Sequence, residues 1–268
     1  MLESVELDGL IVATPTPTHA GIVSDALEHG VPVLVEKPLT IDLAEARVLR
    51  DQVVRFDGFV MIDHIHLFSP AYRALKQQVK ATEGPFEITG RAGNIGPFRD
   101  DTPALWDWGP HDLAMCIDLT GEVPSRVTAT ETSSTVVDVD GHDADGKLIE
   151  IDLKFPGGTN AHLVVGNIMH PKTRLFEVKN SYKRIIYDDM KSEKLCVEQD
   201  GRSQMIVTPT DKPLDILVAE FADEIVGGKR GRASLDLGIR VVEVLDACQR
   251  SVATHAPIEL SGLDQVEI

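Results

Sequence analysis

The sequence predicts two architectures in succession. A doubly wound α/β segment spans residues 1–62, and an α+β segment built on a large, mostly antiparallel open sheet spans residues 63–268. Three observations predict this. Short continuous apolar runs in the first 62 residues alternate with helix-period segments, and such runs belong to strands buried on both faces. Three such strands joined by two helices must run parallel, with right-handed crossovers. Beyond residue 63, short strand-like runs follow one another across tight turns, which is the pattern of antiparallel pairing.

The elements follow in order. The first strand covers 9–13 and stops at Thr14-Pro15-Thr16-Pro17, where two prolines forbid continuation. Thr18 is the expected N-cap of a helix carrying Ile22, Val23, Ala26 and Leu27, and Gly30 its stop. A second strand at 33–35 leads to a helix with Thr40 as its expected cap and Leu43, Ala46, Val48, Leu49 and Val53 along it. The third strand covers 58–62. Helices are then predicted over 70–79 and 106–119, with a strand at 86–91 between them. Strands at 126–132, 148–155, 161–165, 175–179, 184–187 and 194–197 follow, and helices over 214–226 and 235–252 close the chain.

Composition narrows the function classes. Among 268 residues, 43 acidic side chains against 26 basic ones give a net charge of −17, which repels phosphate backbones and anionic lipid headgroups. Nucleic-acid and membrane partners are therefore not expected. Cys116, Cys196 and Cys248 are scattered and form no CxxC pair, which argues against a disulfide framework or structural zinc. They read as thiols of a cytoplasmic protein. The first 15 residues have neither the basic nor the apolar region of a secretion signal, and no run of about 18 apolar residues occurs.

Four motifs carry chemistry. Thr14-Pro15-Thr16-Pro17-Thr18-His19 and Glu36-Lys37-Pro38 each follow a predicted parallel strand, and ligands of open α/β sheets bind beyond the carboxyl ends of strands. A lysine half-buried there can have its pKa lowered by desolvation, with Glu36 as the expected partner holding it. In Trp106-Asp107-Trp108-Gly109-Pro110-His111-Asp112, Asp107 and His111 are four apart and share a helical face. A carboxylate beside an imidazole makes a proton-transfer pair with a pKa near 7. Gly109-Pro110 argues against a regular helix start at this point. In Asp63-His64-Ile65-His66, a strand would put both imidazoles on one face. Zinc is conceivable there, but no third ligand at metal-type spacing follows, so no metal is expected. Trp106 and Trp108 flank the acid; a ring face suits the apolar side of a sugar, and equally suits a place in the core.

Taken in order, TPTPTH, EKP, SPAYRALK and DWGPHD, with the closing segment EFADEIVGGKRGRASLDLGIRVVEVLDACQRSV, resemble the Gfo/Idh/MocA (glucose–fructose oxidoreductase / inositol dehydrogenase) family over nearly the whole chain. The resemblance implies an NAD- or NADP-dependent oxidoreductase acting on a secondary alcohol of a sugar, nucleotide sugar or cyclitol. It implies Lys37, Asp107 and His111 as the catalytic group, with the base open between Lys37 and His111. Thr14, Pro15, Thr16, His19, Glu36, Lys37 and Pro38 are implied beside the cofactor, and His64, His66, Trp106, Trp108 and Asp112 beside the substrate. Residues 1–62 would be an N-terminally truncated Rossmann-like dinucleotide-binding domain, and 63–268 a substrate-binding and oligomerisation domain forming a dimer or tetramer.

The chain departs from the family at one point. It contains no GxGxxG, and too few residues precede Gly9 for the strand–turn–helix unit that brings a helix N-terminus to the pyrophosphate. Weak or absent NAD(P) binding is expected of these 268 residues, whether through a partial gene, a misassigned start or true loss. A non-catalytic or inactive homologue stays open, as does a redox-assisted lyase or glycosidase, which would convert substrate with no net cofactor turnover.

Overall fold

The structure, a computed structural model, describes residues 2, 4–82, 84–139, 142–228 and 231–260. Strands β1 (Leu10–Val12), β2 (Val33–Glu36) and β3 (Val60–Asp63) form a small sheet in that order, parallel at both junctions. The crossovers are α1 (His19–Glu28) and α2 (Leu43–Phe56), which touch one another. Alternation along the strands divides the side chains. Val33, Val35, Val60 and Ile62 join the main core with the buried residues of α1 and α2. Leu34, Phe59 and Met61 form a second core with Leu217 and Phe221 of α5 (Pro213–Val226). Both faces of the small sheet are thus covered, the second by a helix from the far end of the chain.

Two caps differ from expectation. The Thr18 hydroxyl donates to Pro15 O at 2.7 Å instead of capping α1. Residues Thr16–Thr18 form a 3-10 turn that runs directly into the helix, and the His19 N–H is already bonded to Thr16 O. Asp42, not Thr40, caps α2. Its Oδ1 accepts from Ala44 N and Glu45 N at 2.7 and 3.1 Å, and a carboxylate gains further from the positive helix end. The Thr40 hydroxyl donates to Asp42 O.

The large sheet comprises β4 (Glu87–Ile95), β5 (Arg126–Val139), β6 (His142–Lys154), β7 (Asn160–Gly166), β8 (Ile168–Lys179), β9 (Lys183–Asp188), β10 (Leu195–Gln199), β11 (Arg202–Ile206) and β12 (Ile258–Glu259). Its order is β11-β10-β9-β8-β4-β7-β6-β5-β12. Every junction is antiparallel except β4–β7, which is parallel. The sequence does not announce β11, an edge strand exposed nearly throughout, or β12, which is two residues long.

Helices α4 (Ala104–Thr120) and α6 (Ala233–Thr254) pack on each other and on this sheet, and α3 (Pro70–Lys80) packs against β9 and β10. The doubt raised by Gly109-Pro110 is overturned, because α4 runs unbroken through both. A proline inside a helix costs roughly 3 kcal/mol. Nearly all of α4 is buried, and Gly109 lets Leu245 of α6 close on the helix, since an added Cβ would stand 3.1 Å from its Cδ2. Tertiary packing outweighs the local penalty. Among the described residues, no helix is long and apolar enough to cross a membrane.

Candidate active site

The carboxyl ends of β2 and β3 meet the first turns of α4. Lys37, one residue beyond β2, extends its Nζ to Asp107 Oδ1 at 2.9 Å and to the Asp107 carbonyl at 2.6 Å. Asp107 lies in the first turn of α4, where the helix dipole favours its charge, and Arg99 Nε stands 3.5 Å from its other oxygen. Glu36 is not the partner of the ammonium, because its Oε2 accepts instead from the Lys37 backbone N–H at 3.2 Å. Across the strand register Glu36 faces Asp63.

His111, one helical turn beyond Asp107, is buried. Burial, and then the positive charge of Lys37, push its pKa well below the ordinary imidazole value, so the ring is neutral. The expected Asp107–His111 pair poised near pH 7 is therefore replaced by a Lys37–Asp107 ion pair beside a neutral imidazole. His66 stands edge-on to His111, with ring centroids 4.9 Å apart. Its Nδ1 is 3.2 Å from Tyr187 Oη, and Arg174 Nη1 is 3.3 Å from its Nε2. Burial and the Arg174 charge bring His66 to about 4. His64, fully enclosed, falls to about 3 through burial and the Lys37 charge. The pair does not sit on a strand as HxH implied. β3 ends at Asp63, and a 3-10 turn over Ile65–Phe68 sends the two imidazoles to different neighbours.

Two carboxyls titrate near neutrality instead. Asp63 rises to about 7 through burial, the charge of Glu36 and a hydrogen bond to it, opposed by Lys37. Asp112 rises to about 7 through burial, opposed by Arg174. Buried polar atoms are nearly always paired in folded proteins. Here the unpaired ones among the described residues are Asp63 Oδ1, both nitrogens of His64, Trp108 Nε1, His111 Nδ1 and Asp112 Oδ2, with Gln52 Oε1 alone lying elsewhere.

The remaining motif residues divide. His19 is buried, with Nδ1 3.0 Å from Pro38 O and Nε2 2.9 Å from Thr14 O, so its ring bridges the turns after β1 and β2. Thr16 is buried against the Thr102 hydroxyl, and the Thr14 and Thr18 hydroxyls lie 2.7 Å apart. These contacts shape the rim holding Pro15 and Pro38; the Lys37–Pro38 peptide is cis. Trp108 lies under Arg174, whose guanidinium carbon is 4.8 Å from the ring centre. Trp106 turns to α6, donating Nε1–H to Gln249 Oε1 at 2.6 Å. Sequence reasoning missed Arg174 and Tyr187. They lie on β8 and β9 with no motif around them, and only the pairing of those strands brings them to His66.

Comparisons with known proteins bear on the family and the fold. A profile of the Gfo/Idh/MocA oxidoreductase family, described as an NAD-binding Rossmann fold, matches residues 1–64. A presumed oxidoreductase from Magnetospirillum magnetotacticum MS-1 is 34% identical, superposes with a TM-score of 0.83, and matches over 92% of this chain and 81% of its own. The scyllo-inositol 2-dehydrogenase (NAD(+)) of Bacillus subtilis is 34% identical over 70% of this chain and 64% of its own length. The rhizopine catabolism protein MocA of Rhizobium meliloti is 28% identical over 57% of this chain and 50% of its own length. The chain thus spans 50% to 64% of these two curated relatives.

Proposed function

This chain belongs to the Gfo/Idh/MocA family of oxidoreductases, and on that premise we propose that it works as an NAD(P)-dependent dehydrogenase or reductase on a secondary alcohol of a sugar, nucleotide sugar or cyclitol. The observation that carries this reading is the crowding of unpartnered buried polar atoms around the Lys37–Asp107 ion pair, at strand ends where open α/β sheets bind ligands. A nicotinamide, when bound, supplies the hydride acceptor or donor. Thr14, Pro15, Thr16, Glu36, Lys37 and Pro38 form the rim it would lie against, with His19 bracing that rim from below. No GxGxxG turn occurs in the chain, so the residues present fit the nicotinamide end of a dinucleotide and not its pyrophosphate.

Lys37 moves the hydroxyl proton. Two adjacent positive charges are unfavourable in a buried site, and the Lys37 charge, held by Asp107, helps keep His111 neutral. His111 is then a neutral hydrogen-bonding partner for the reacting oxygen, and Asp107 positions the lysine. His66, Trp108 and Asp112 line the substrate side. His64 is enclosed behind them, and Trp106 supports α4 from the side of α6.

The test is hydride transfer, read from nicotinamide absorbance with inositols, hexoses and UDP-sugars. The assay uses the chain alone and the chain fused behind a strand–GxGxxG–helix–strand unit of the family. Lys37→Met and His111→Asn are each expected to lower kcat by about 10²–10⁴-fold, the usual range for a positioned proton-transfer group. A fusion in which Lys37→Met is as fast as the parent removes Lys37 from this role. Absence of turnover on every polyol overturns the reading itself.

A further inference from the structure

The inner face of β8 carries one cation that the chemistry above does not use. Arg174 pairs with Ala92 across the β4–β8 ladder and lies on the same side of β8 as the buried Phe176 and Val178, facing α4. It is half-buried, yet no carboxylate among the described residues comes within 4.0 Å of it. The other cations of the site are matched: Lys37 and Arg99 to Asp107, and Lys194 to Asp189. Asp112 is near enough to feel the guanidinium charge but forms no ion pair with it. A guanidinium has five N–H donors. Here one reaches His66 Nε2, and the plane lies over Trp108. Trp108 is 6% exposed, and its Nε1–H, on the ring that Arg174 covers, has no acceptor in the protein.

A cation held in place without a counter-charge, next to a buried N–H without an acceptor, is half of an anion site. We propose that the substrate carries an anionic oxygen group, a carboxylate or a phosphate ester, which Arg174 and Trp108 Nε1 bind while the reacting hydroxyl lies at Lys37 and His111. The imidazole of His66 stands between these two points, touching Arg174 on one side and His111 on the other. The inference names the substrate class of the proposed oxidoreductase and rests on that reading, but it concerns binding alone and is measured without cofactor.

The experiment is titration calorimetry of the 268-residue chain at low salt with glucuronate, glucose 6-phosphate and glucose. At least one anion is expected to bind about tenfold or more tightly than glucose, and the better of the two identifies carboxylate or phosphate. Arg174→Gln should reduce that preference to about twofold, and Trp108→Phe, which keeps a ring but deletes the N–H, should reduce it about threefold. If Arg174→Gln fails to fold by circular dichroism, Arg174→Lys replaces it; the lysine loses the planar fork and should forfeit most of the preference. Equal affinity for the three sugars, no binding of any of them, or a preference that survives the Arg174 variants overturns the inference. Anion preference without hydride transfer would sustain the inference and remove the redox reading, and hydride transfer on neutral sugars without anion preference would do the reverse.

Discussion

Burial acts in opposite directions on the acids and the imidazoles of this site, because in each case it penalises the charged form. Asp112, with a folded value of about 7 against an ordinary 3.8, keeps its proton where an unfolded carboxyl has lost it. Its contribution to stability is whole at pH values below the unfolded pKa and is lost as pH rises through about 7. His64 and His66, depressed to about 3 and 4, contribute in the other sense: stability is full above pH 6.5 and falls as pH drops through those values. Only a difference between variant and parent isolates one group. Asp112→Asn is therefore expected to gain on the parent steadily between about pH 4 and pH 7 and then to level off, the total being roughly 4 kcal/mol on a shift of about three units. Urea denaturation across that range is the check, and a flat difference would show that Asp112 is ionised in the fold. Asp107 and His111 were legible as a pair because an i, i+4 spacing is a local fact, and Lys37 as a strand-end cation; what joined the three into one set was the family resemblance. The neutrality of His111 was not, since it depends on the enclosure and on charges brought from other elements.

At the scale of elements, the helical and strand periods are reliable and the caps are less so. Asp42 displaces Thr40 because a carboxylate accepts two backbone N–H groups of the first turn. Pro110 survives inside α4 because the helix is buried nearly all round, and propensity is a weak term there. The pairing of α5 with the small sheet has no sequence signature beyond an apolar stripe, yet it builds a core of its own. Phe221 stacks on Phe59 with ring centroids 5.9 Å apart, beside Leu34, Met61 and Leu217. Phe221→Ala is expected to cost about 3–5 kcal/mol, the usual range for emptying an aromatic core position. Chemical denaturation measures it, and a cost below about 1 kcal/mol would mean that α5 does not close that face.

For the molecule as a whole, cofactor affinity and assembly are the testable consequences. On the proposed reading, in which the rim meets only the nicotinamide end, NAD(P) should bind the 268-residue chain about a thousandfold more weakly than a fusion carrying the glycine turn, if the pyrophosphate anchor contributes roughly 4 kcal/mol. Micromolar binding by calorimetry to the chain alone would show that the dinucleotide is held elsewhere. Self-association is also expected. Among the described residues β1 and β3 each pair only with β2, which leaves both edges of the small sheet without a further strand, and the large sheet has helices packed on one side. Sedimentation at micromolar concentration should report a dimer or tetramer, and a clean monomer would count against assembly through either surface.

The sequence by itself determined the order of the helices and of every strand except β11 and β12, the parallel character of the first sheet and the mainly antiparallel character of the second. It also placed the TP turn, Glu36-Lys37-Pro38 and the Asp107/His111 pair at strand ends and on a helix face. Each of these depends on spacing within a few residues, which the chain carries wherever it is folded. The tertiary structure decided what spacing cannot. It paired Lys37 with Asp107 rather than Glu36, drove Asp63 and Asp112 up and the histidines down, and set an unmatched Arg174 over Trp108. The physical reason is that burial and the identity of the nearest charge are properties of segments meeting in space. Lys37 and Asp107 are 70 residues apart, and His66 and Arg174 are 108 apart.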